Sequence, residues 1–309
     1  MKPLISFVVP AYNSHATIGK CLQSLAAHAR GNEIIVVDNN SSDGTLEVAK
    51  KFRGVRVFVE KKRGAAAARN SGLAASSGKY IAFIDSDCIL PAGWAKTALH
   101  KITGKGIAGV GGPGKSVDSS LVSKSLDAFL YGRGGSAKSV FVDSLATMNV
   151  MYRRAALAGL RFDEDFRSAS GEDPDLNMKL RRKGHKLLFD ESLWVWHHHP
   201  VTMKGMLKKW YNYGKNYPKL CSKHSELRTP GYYGRLLFFP VFTASVIAAP
   251  FFRPAGAIPL LELAALFLAY TLAGTKHARG TVLFAFPFIH TAKQLAQMLG
   301  MFQATLKKE

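Results

Sequence analysis

The sequence predicts an α/β protein whose mostly parallel sheet carries helices on both faces. Its first hundred residues alternate short β-rich runs with stretches of helical spacing, in the order βαβαβαβ. With 309 residues, 47% of them hydrophobic, the chain can also bury a sizeable core. Polar residues follow several predicted strands directly, at the edge where ligands bind in parallel sheets.

The predicted elements follow one another closely along this first segment. Each strand is a short apolar run bounded by turn residues, and each helix has apolar residues three or four positions apart. In order, the elements are a strand at 5–9, a helix at 18–25, a strand at 34–37, a helix after Gly44, a strand at 55–59, a helix at 65–75 and a strand at 80–84. This alternation indicates crossover connections between parallel strands.

Residues from about 104 to 145 are rich in glycine, serine and lysine, which predicts loops with one helix near 121–130. Within them, residues 109–116 have the sequence Gly-Val-Gly-Gly-Pro-Gly-Lys-Ser and satisfy the phosphate-loop pattern. In that pattern, backbone amides cradle phosphates while the lysine and serine reach the terminal phosphate and magnesium. The pattern makes a P-loop nucleotide hydrolase an alternative function. The position of the stretch after four strands, rather than after the first, counts against it.

The last quarter of the chain predicts a hydrophobic helical hairpin. Residues 236–252 hold no charged side chain over 17 positions, and residues 254–274 hold one, Glu262, over 21. Both runs are close to the length of about 20 residues that crosses a bilayer, and a buried helix pair in a soluble protein is the alternative. We therefore expect an α/β domain over 1–230 and membrane-associated helices over 231–309.

The chain is strongly basic, with 42 lysines and arginines against 21 aspartates and glutamates and a net charge of +21. This charge attracts phosphate-bearing partners, which include nucleic acid, nucleotides and anionic lipid. Residues 204–228 carry seven basic residues and one acidic residue just before the hairpin. By the positive-inside rule, we expect a cell-membrane protein whose α/β domain lies on the cytoplasmic side.

The three cysteines, Cys21, Cys88 and Cys221, are few and scattered. They do not form the spacing of a disulfide framework or of a cysteine-rich zinc module. A small secreted scaffold held together by disulfides is therefore excluded, and a reducing compartment is favoured for most of the chain.

Asp85 and Asp87 are the sharpest candidates for chemistry. Because side chains two positions apart on a strand point the same way, both carboxylates are aimed into the crevice at the strand end. Two such oxygen ligands suit Mg²⁺ or Mn²⁺, completed by phosphate oxygens of a substrate. A solvated aspartate-rich turn is the alternative.

Two further residues are candidates for contact with a nucleotide. Asp38 ends the second strand before a turn-rich segment, so it could offer a carboxylate to a base or ribose, unless it only caps the next helix. Arg69 lies in an alanine-rich helix, where a guanidinium aimed at the crevice would suit a diphosphate. A surface salt bridge is the alternative for Arg69.

Glu172 and Asp173 precede a proline at a predicted helix start. The helix dipole favours an ionised carboxylate there, able to accept a proton, although capping alone would explain both residues. Leu176 and Leu180 lie four positions apart, with basic residues at Lys179 and at 181–183, and predict that this helix, over 173–183, is exposed.

Three consecutive histidines, His197, His198 and His199, follow an apolar run at 193–196. An imidazole at a strand end could complete a metal shell. Three adjacent side chains cannot all point at one ion, so we expect at most one ligand among them. A histidine-rich loop is the alternative.

Taken in order, these motifs resemble the family 2 glycosyltransferases with the GT-A fold, over roughly residues 4–217. The motifs are Val-Val-Pro-Ala-Tyr-Asn at 8–13, Val-Val-Asp-Asn-Asn-Ser-Ser-Asp-Gly-Thr at 36–45, Ala-Arg-Asn-Ser-Gly at 68–72, Ile-Asp-Ser-Asp at 84–87, Asn149, Tyr-Arg-Arg at 152–154, Phe-Asp-Glu at 162–164, Gly-Glu-Asp at 171–173 and Asp-Leu at 175–176. The resemblance implies a GT-A, Rossmann-like domain over 1–230, followed by the hydrophobic hairpin.

The resemblance also implies an inverting transfer of a sugar from a nucleotide-diphosphate donor. It implies that donor binding involves Pro10, Ala11, Tyr12, Asn13, Asp38, Arg69, Asp85 and Ser86. A divalent metal, Mn or Mg, would be bound by Asp87 with Asp85 and His197, and Asp173, beside Glu172, would act as the base. Relatives also carry Gly-Gly-Pro in the glycine-rich stretch, which disfavours the P-loop alternative.

The basic segment at 204–228 interleaves aromatic residues with its lysines, namely Trp210, Tyr211, Tyr213 and Tyr217. Such a segment could hold a lipid-phosphate acceptor at a membrane, although single-stranded nucleic-acid sites share the pattern. The hairpin beside it favours lipid, so we expect membrane lipids, a lipid-linked or cell-surface glycan acceptor and no nucleic acid. The prediction is a membrane-bound glycosyltransferase of the hexosyltransferase type. A membrane-anchored module that binds nucleotide-sugars without turnover is the non-enzyme alternative.

Overall fold

The computed structural model describes residues 3–131, 139–166 and 169–306. The chain forms two compact units, each drawn from separated stretches of sequence. The first unit comprises Met1–Val117 and Ser136–His198, and the second comprises Asp118–Gly135 and His199–Glu309. The boundary predicted after residue 230 concerns function, which this division into compact units does not test, so it stays a prediction.

The described residues form strands and helices that continue the predicted alternation. The strands are β1 (Ile5–Ala11), β2 (Glu33–Asp38), β3 (Val55–Val59), β4 (Tyr80–Ile84), β5 (Cys88–Ile89), β6 (Ile107–Gly111), β7 (Gly114–Ser116), β8 (Ser139–Val142), β9 (Asn149–Arg153), β10 (Lys186–Asp190) and β11 (Val195–His197). The helices are α1 (His15–His28), α2 (Thr45–Lys50), α3 (Ala65–Ala75), α4 (Trp94–Ile102), α5 (Leu121–Tyr131), α6 (Glu172–Arg182), α7 (Met203–Lys223), α8 (Pro230–Ala248), α9 (Ala257–His277) and α10 (Thr281–Leu306).

The first unit is built on an eight-stranded sheet in the order β3-β2-β1-β4-β9-β6-β10-β8. The four N-terminal strands pair in parallel, as the alternation of elements predicts. Strand β9 lies antiparallel between β4 and β6, and β8 closes the far edge antiparallel to β10. The predicted α/β fold class is therefore confirmed, with antiparallel strands added on one side.

Both faces of this sheet are buried, which explains why its strands are continuous apolar runs. On one face, Phe7 packs with residues of α1 and α4, including Leu22 and Trp94. On the other face, the next residue, Val8, packs in a second cluster that includes Phe83 and Leu176. Adjacent residues of β1 thus belong to different clusters, as the two-residue period of a strand requires.

The prediction of loops over residues 104–145 is wrong except for its helix, which is α5. Strands β6, β7 and β8 all lie in that range, while residues 132–138 are outside the described part of the chain. The glycines have a packing role: a β-carbon at Gly109 would lie 2.7 Å from a Tyr152 ring atom, and one at Gly111 would lie 2.6 Å from the Asn149 carbonyl oxygen. Glycine here indicates close packing against a neighbouring strand rather than a loop.

The prediction that helix α6 is exposed is also wrong. Besides its leucines, it buries Glu172, Asp175 and Asn177, each at 2% exposure or less. Asn177 shows why a polar residue is tolerated there, since its side chain accepts a hydrogen bond from the Tyr152 hydroxyl and donates to the Leu145 carbonyl. The hydrophobic pattern underestimates the burial of this helix because it counts polar residues such as Asn177 as exposed.

A second, three-stranded sheet lies in the same unit, in the order β5-β11-β7. Strand β11 is antiparallel to β5, with His197 opposite Cys88, and parallel to β7. It brings the segment after β4 next to the histidine segment, although about a hundred residues separate them in sequence.

In the second unit, α7 and α10 lie against each other at close range. A β-carbon at Gly214 would overlap the backbone of Gln297, and one at Gly300 would overlap the backbone of Tyr211. The absence of a side chain at these two glycines therefore allows the two helices to approach.

Helix α5 completes the core of the second unit. Its Leu126 packs with Met206 and Ile289. Its Phe129 lies under the buried Lys293, whose ammonium is 3.3 Å from the Phe129 ring centroid and 4.3 Å from that of Trp210. Because aromatic faces attract cations, this contact helps to hold a lysine that is only 1% exposed.

Three helices, α8 to α10, occupy the region where the sequence predicts a hairpin. Among the described helices, α9 is the one whose length and apolar composition would allow it to cross a membrane, and 11% of its most apolar window is buried. Helix α8 is long enough, at 19 residues, but its first six residues are Pro-Gly-Tyr-Tyr-Gly-Arg, which lower its apolar character. The structure thus supports one of the two predicted spanning runs.

The contact between α3 and β1 yields a stability prediction. Gly72→Ala should destabilise the protein by about 1–3 kcal/mol, because its β-carbon would overlap the stiff, buried side chain of Val8. Chemical unfolding in detergent, followed by tryptophan fluorescence, measures the change.

Gly19→Ala is the matched control, since its β-carbon would lie an ordinary 3.8 Å from Val48. It should stabilise helix α1 by about 0.5–1 kcal/mol, the difference between alanine and glycine in a helix. Equal effects of the two substitutions would show that the packing of α3 on β1 does not limit residue size.

Candidate functional site

A cavity of about 490 Å³ lies in the first unit, where β1 and β4 end and α3 begins. It is lined by Pro10, Ala11, Tyr12, Ser14, Asn39, Arg63, Gly64, Ala65, Ala68, Arg69, Asp85, Ser86, Asp87 and Ala169. The cavity therefore occupies the strand-end edge that the sequence indicates for a ligand. Asn13, Asp38, Glu172, Asp173 and His197, which are also predicted site residues, are not part of this lining.

The loops after β1 and β2 are held together above the sheet. Asn13 accepts a hydrogen bond from the Ser42 amide, and its own amide donates to the Ser41 hydroxyl. Asn13 and Asn40 both have left-handed backbones, at φ 47° and 59°, a conformation that asparagine tolerates better than most residues. Asn13 thus shapes the loops beside the cavity without lining it.

Asp38 and Asn39 occupy the end of β2. Asp38 is 2% exposed, and one of its oxygens accepts a hydrogen bond from the Ser41 amide. Its Oδ1 has no hydrogen-bond partner among the described residues, which leaves a buried acceptor beside the cavity. Asn39 accepts from the Gly64 amide and donates to the carbonyl of Lys62, so it fixes the segment that leads into α3.

Arg63 is a cavity residue that sequence reasoning missed. Its guanidinium lies 3.4 Å from the ring centroid of Tyr12, and Nη1 donates to the carbonyl of Asn40 at 3.1 Å. This stacking connects the loops after β1 and β2 with the start of α3. Arg63 ends a Lys-Lys-Arg run, a pattern that is typical of a solvated surface. Its position directly before Gly64, at the start of α3, was the one sequence feature that could have indicated a place in the cavity.

Arg69 connects two acidic groups from different elements. Its Nη1 donates to Glu172 Oε1 at 2.6 Å, and its Nη2 donates to Asp85 Oδ1 at 3.0 Å. The side chains of Arg69 and Glu172 are 4% and 2% exposed. The alternative of a surface salt bridge is therefore wrong, because this cation is buried between carboxylates that follow β4 and begin α6.

Burial also changes the acidity of the pair at the start of α6. It raises the pKa of Glu172, with a further rise from the charge of Asp173, while Arg69 opposes the change. It likewise raises the pKa of Asp173, against the lowering effects of Arg69 and of the Thr147 amide. A carboxylate whose pKa lies above its ordinary value is a better proton acceptor, which suits a general base.

Asp87 belongs to a group of three side chains that could bind a metal ion. His197 Nε2 lies 3.4 Å from Asp87 Oδ2, and the ligand atoms of Asp87, His197 and Cys88 all lie within 4.8 Å of one another. The chemistry of this donor set fits a divalent transition-metal ion. Cys88 was missed because it begins an apolar run, although it directly follows Asp87.

The three histidines are separated by the fold. His197 is the one whose side chain reaches Asp87, whereas His198 donates its amide to the Asp87 carbonyl at 3.1 Å. His199 belongs to the second unit, where it lies 3.0 Å from Asp127. Asp85, the other predicted metal ligand, directs one oxygen at Arg69.

The P-loop alternative does not survive the structure. Its residues form β6 and β7 with a short connection between them, whereas a phosphate loop needs a strand, a loop and then a helix. Lys115, the proposed phosphate-binding lysine, lies with its ammonium 4.4 Å from the ring centroid of Trp194.

Comparison with known proteins points to one family. The family described as glycosyl transferase family 2 matches residues 6–213. Glycosyltransferase AglE from Haloferax volcanii is 33% identical over 156 residues, which are 48% of this chain and 47% of that relative. The Escherichia coli glucosyltransferase WfaP, named for UDP-glucose and a GlcNAc-diphosphoundecaprenol, is 39% identical over 88 residues, 27% of this chain and 35% of its own. The chain thus spans about half or less of the length of these two relatives.

A solved structure shares the fold. The mannosyltransferase PcManGT from Pyrobaculum calidifontis, in complex with GDP-mannose and Mn²⁺, aligns over 100% of this chain and 89% of its own, with a TM-score of 0.61. At 18% sequence identity, this likeness concerns the fold alone.

The buried position of Arg69 yields a second stability prediction. Arg69→Met should cost about 3–5 kcal/mol of unfolding free energy, because it leaves two carboxylates near each other without their cation. Arg181→Met is the matched control, since Arg181 is 44% exposed and pairs with the 83% exposed Asp143, so the loss should be about 0–1 kcal/mol. Urea unfolding of both variants compares them, and equal losses would contradict a special role for the buried pair.

Proposed function

Since the chain belongs to glycosyl transferase family 2, we propose that it moves a sugar from a nucleotide-diphosphate-sugar donor to an acceptor hydroxyl with inversion. The observation that carries the proposal is the cavity of about 490 Å³ at the ends of β1 and β4. It places Asp85 and Asp87 beside Arg69, which in turn holds the acidic start of α6. The proposed donor-binding residues and the proposed proton acceptor thus lie in the same unit.

The proposed donor site consists of Pro10, Ala11, Tyr12, Asn13, Asp38, Arg69, Asp85 and Ser86. All but Asn13 and Asp38 line the cavity. Asp38 supports the assignment in another way, because its buried Oδ1 is an acceptor that a base or ribose donor group could satisfy. The exposed ring of Tyr12 and the guanidinium of Arg63 supply flat surfaces at the cavity wall.

We propose that Asp87 and His197, with Asp85 beside them, would hold the divalent metal, Mn or Mg. When bound, such an ion supplies positive charge that stabilises a leaving diphosphate. The 3.4 Å approach of His197 to Asp87 supports this assignment, as does the Mn²⁺ bound by the mannosyltransferase of the same fold.

Asp173 is the proposed base, and it would remove the proton of the acceptor hydroxyl as that oxygen attacks the anomeric carbon. A single displacement from the opposite face inverts the configuration of the sugar. Burial favours this role by raising the pKa of Asp173. Glu172 is already engaged with Arg69, so its proposed part is to keep the start of α6 in place.

We further propose a lipid-linked or cell-surface glycan acceptor at the cytoplasmic face of the membrane. Helix α9 supports membrane association, since Leu260 and Leu261 are 70% and 66% exposed. Helix α7 carries the basic and aromatic residues expected near anionic headgroups. The name of WfaP also includes a lipid-diphosphate acceptor. Residues 1–230 would then carry catalysis and residues 231–309 the membrane contact.

Substitution of the proposed base tests the reaction. Asp173→Asn should lower sugar transfer by about 10²–10⁴-fold, the usual contribution of a general base, while donor binding is largely kept. The measurement is a screen of nucleotide-sugars with detergent-solubilised protein in Mn²⁺, Mg²⁺ or EDTA.

Asp175→Asn is its control, because Asp175 is a buried aspartate of the same helix that pairs with Lys179. It should keep most of the activity. If a donor bound to the wild type and to both variants but was not turned over by the wild type, the result would favour a membrane-anchored module that binds nucleotide-sugars without catalysis.

Substitution of Asp87 tests the metal assignment. Asp87→Ala should abolish the increase in donor affinity that Mn²⁺ produces, since the variant lacks the carboxylate nearest His197. Calorimetric titration of the donor, with and without Mn²⁺, measures the difference. Asp143→Ala, which removes an 83% exposed carboxylate paired with Arg181, should behave as wild type. Unchanged metal dependence in Asp87→Ala would place the ion elsewhere.

A further inference from the structure

We propose that the Cys88 thiol is a third protein ligand of the metal centre, so that Co²⁺ and Zn²⁺ bind to this protein through sulfur. The inference rests on the proposed function, because it concerns the same ion that Asp87 and His197 would hold. It adds a donor of different chemistry to a site otherwise made of oxygen and nitrogen.

The pairing of β5 with β11 places the sulfur there. Cys88 and His197 are directly opposite each other in this antiparallel pair, and opposite residues have side chains on the same face. Cys88 Sγ lies 3.8 Å from Asp87 Oδ1, and His197 Nε2 lies 3.4 Å from Asp87 Oδ2. One ligand atom from each of the three side chains lies within 4.8 Å of the other two, close enough for one ion to be shared.

Packing fixes the orientation of the imidazole. A β-carbon at Gly114 would lie 3.1 Å from His197 Cβ and 3.3 Å from Nδ1, so the glycine leaves room for the ring. The Nδ1 side of the ring thus faces β7, and the Nε2 side faces Asp87. A ligand held in this way requires little rearrangement when an ion arrives.

The same cluster connects to the cavity. Asp87 lines the cavity and its side chain is 38% exposed, whereas Cys88 is fully buried. An ion that enters from the cavity would meet Asp87 first and the sulfur on the inner side. Ligation breaks the S–H bond, forms a sulfur–metal bond and releases the proton to buffer.

The sulfur would also decide which ions bind best. Mg²⁺ prefers oxygen ligands and gains little from a thiolate. Softer ligands such as thiolate and imidazole favour Co²⁺ and Zn²⁺ instead. We therefore expect Zn²⁺ and Co²⁺ to displace Mg²⁺ from the full-length protein.

Cobalt absorption tests the proposal without an activity assay. The full chain in detergent is titrated with CoCl₂, first alone and then with UDP or GDP. Visible d–d bands report Co²⁺ binding, and sulfur-to-cobalt charge-transfer absorption in the near ultraviolet reports a thiolate ligand. The wild type should show both signals, and Cys88→Ser should lose the charge-transfer band.

The other two cysteines provide matched controls. Cys21→Ser and Cys221→Ser should both keep the charge-transfer band, although Cys21 and Cys221 are as deeply buried as Cys88. The double variant of Cys21 and Cys221, which retains Cys88 alone, should keep it too. That variant decides the question if Cys88→Ser does not fold.

The two proposals fail in different ways. Visible bands without charge transfer in the wild type would overturn sulfur ligation and leave the metal site intact. Charge transfer that persists in Cys88→Ser, or that is lost in Cys21→Ser, would likewise overturn it. No cobalt binding under any condition would overturn both the sulfur ligand and the metal assignment.

Discussion

A buried guanidinium between two carboxylates is the constraint on which the first unit depends. Arg69 of α3 bonds both Asp85, after β4, and Glu172, at the start of α6. A buried charge must be paired, so displacing either carboxylate would leave the 4% exposed guanidinium of Arg69 without one of its partners. Asp85 is two residues from Asp87, and Glu172 adjoins Asp173. One cation therefore sets the distance between the proposed metal ligand and the proposed base.

The first half of the fold could be predicted because each element there shows its own periodicity within a short stretch of sequence. The periodicities of β1 to β4 and of the intervening helices are sufficient to predict a parallel sheet. Strands β6 and β9 could not be predicted in this way, since β6 contains two glycines and β9 has only three apolar residues between Asn149 and Arg153. Their glycines resemble loop residues until the neighbouring Tyr152 and Asn149 are seen.

The candidate site was predictable where a strand end determines it, and not where tertiary pairing does. Asp85 and Asp87 follow from a two-residue period, and Tyr12 follows from its place after β1. No local rule distinguishes the three histidines; the register of β11 against β5 does so by bringing His197 opposite Cys88. Arg63 was equally hidden, because its role depends on contact with a ring some fifty positions earlier.

The second unit is not encoded by one continuous stretch of sequence, because it includes helix α5. Its residues are encoded in the middle of the first unit, yet Leu126 and Phe129 bury themselves against α7 and α10. A coding sequence shortened after residue 230 would still produce α5 but not α10. The apolar side chains of α5 would then be exposed to solvent and would favour aggregation. The C-terminal helices therefore cannot be removed without exposing α5, and we expect the two parts of the sequence to be kept or lost together in evolution.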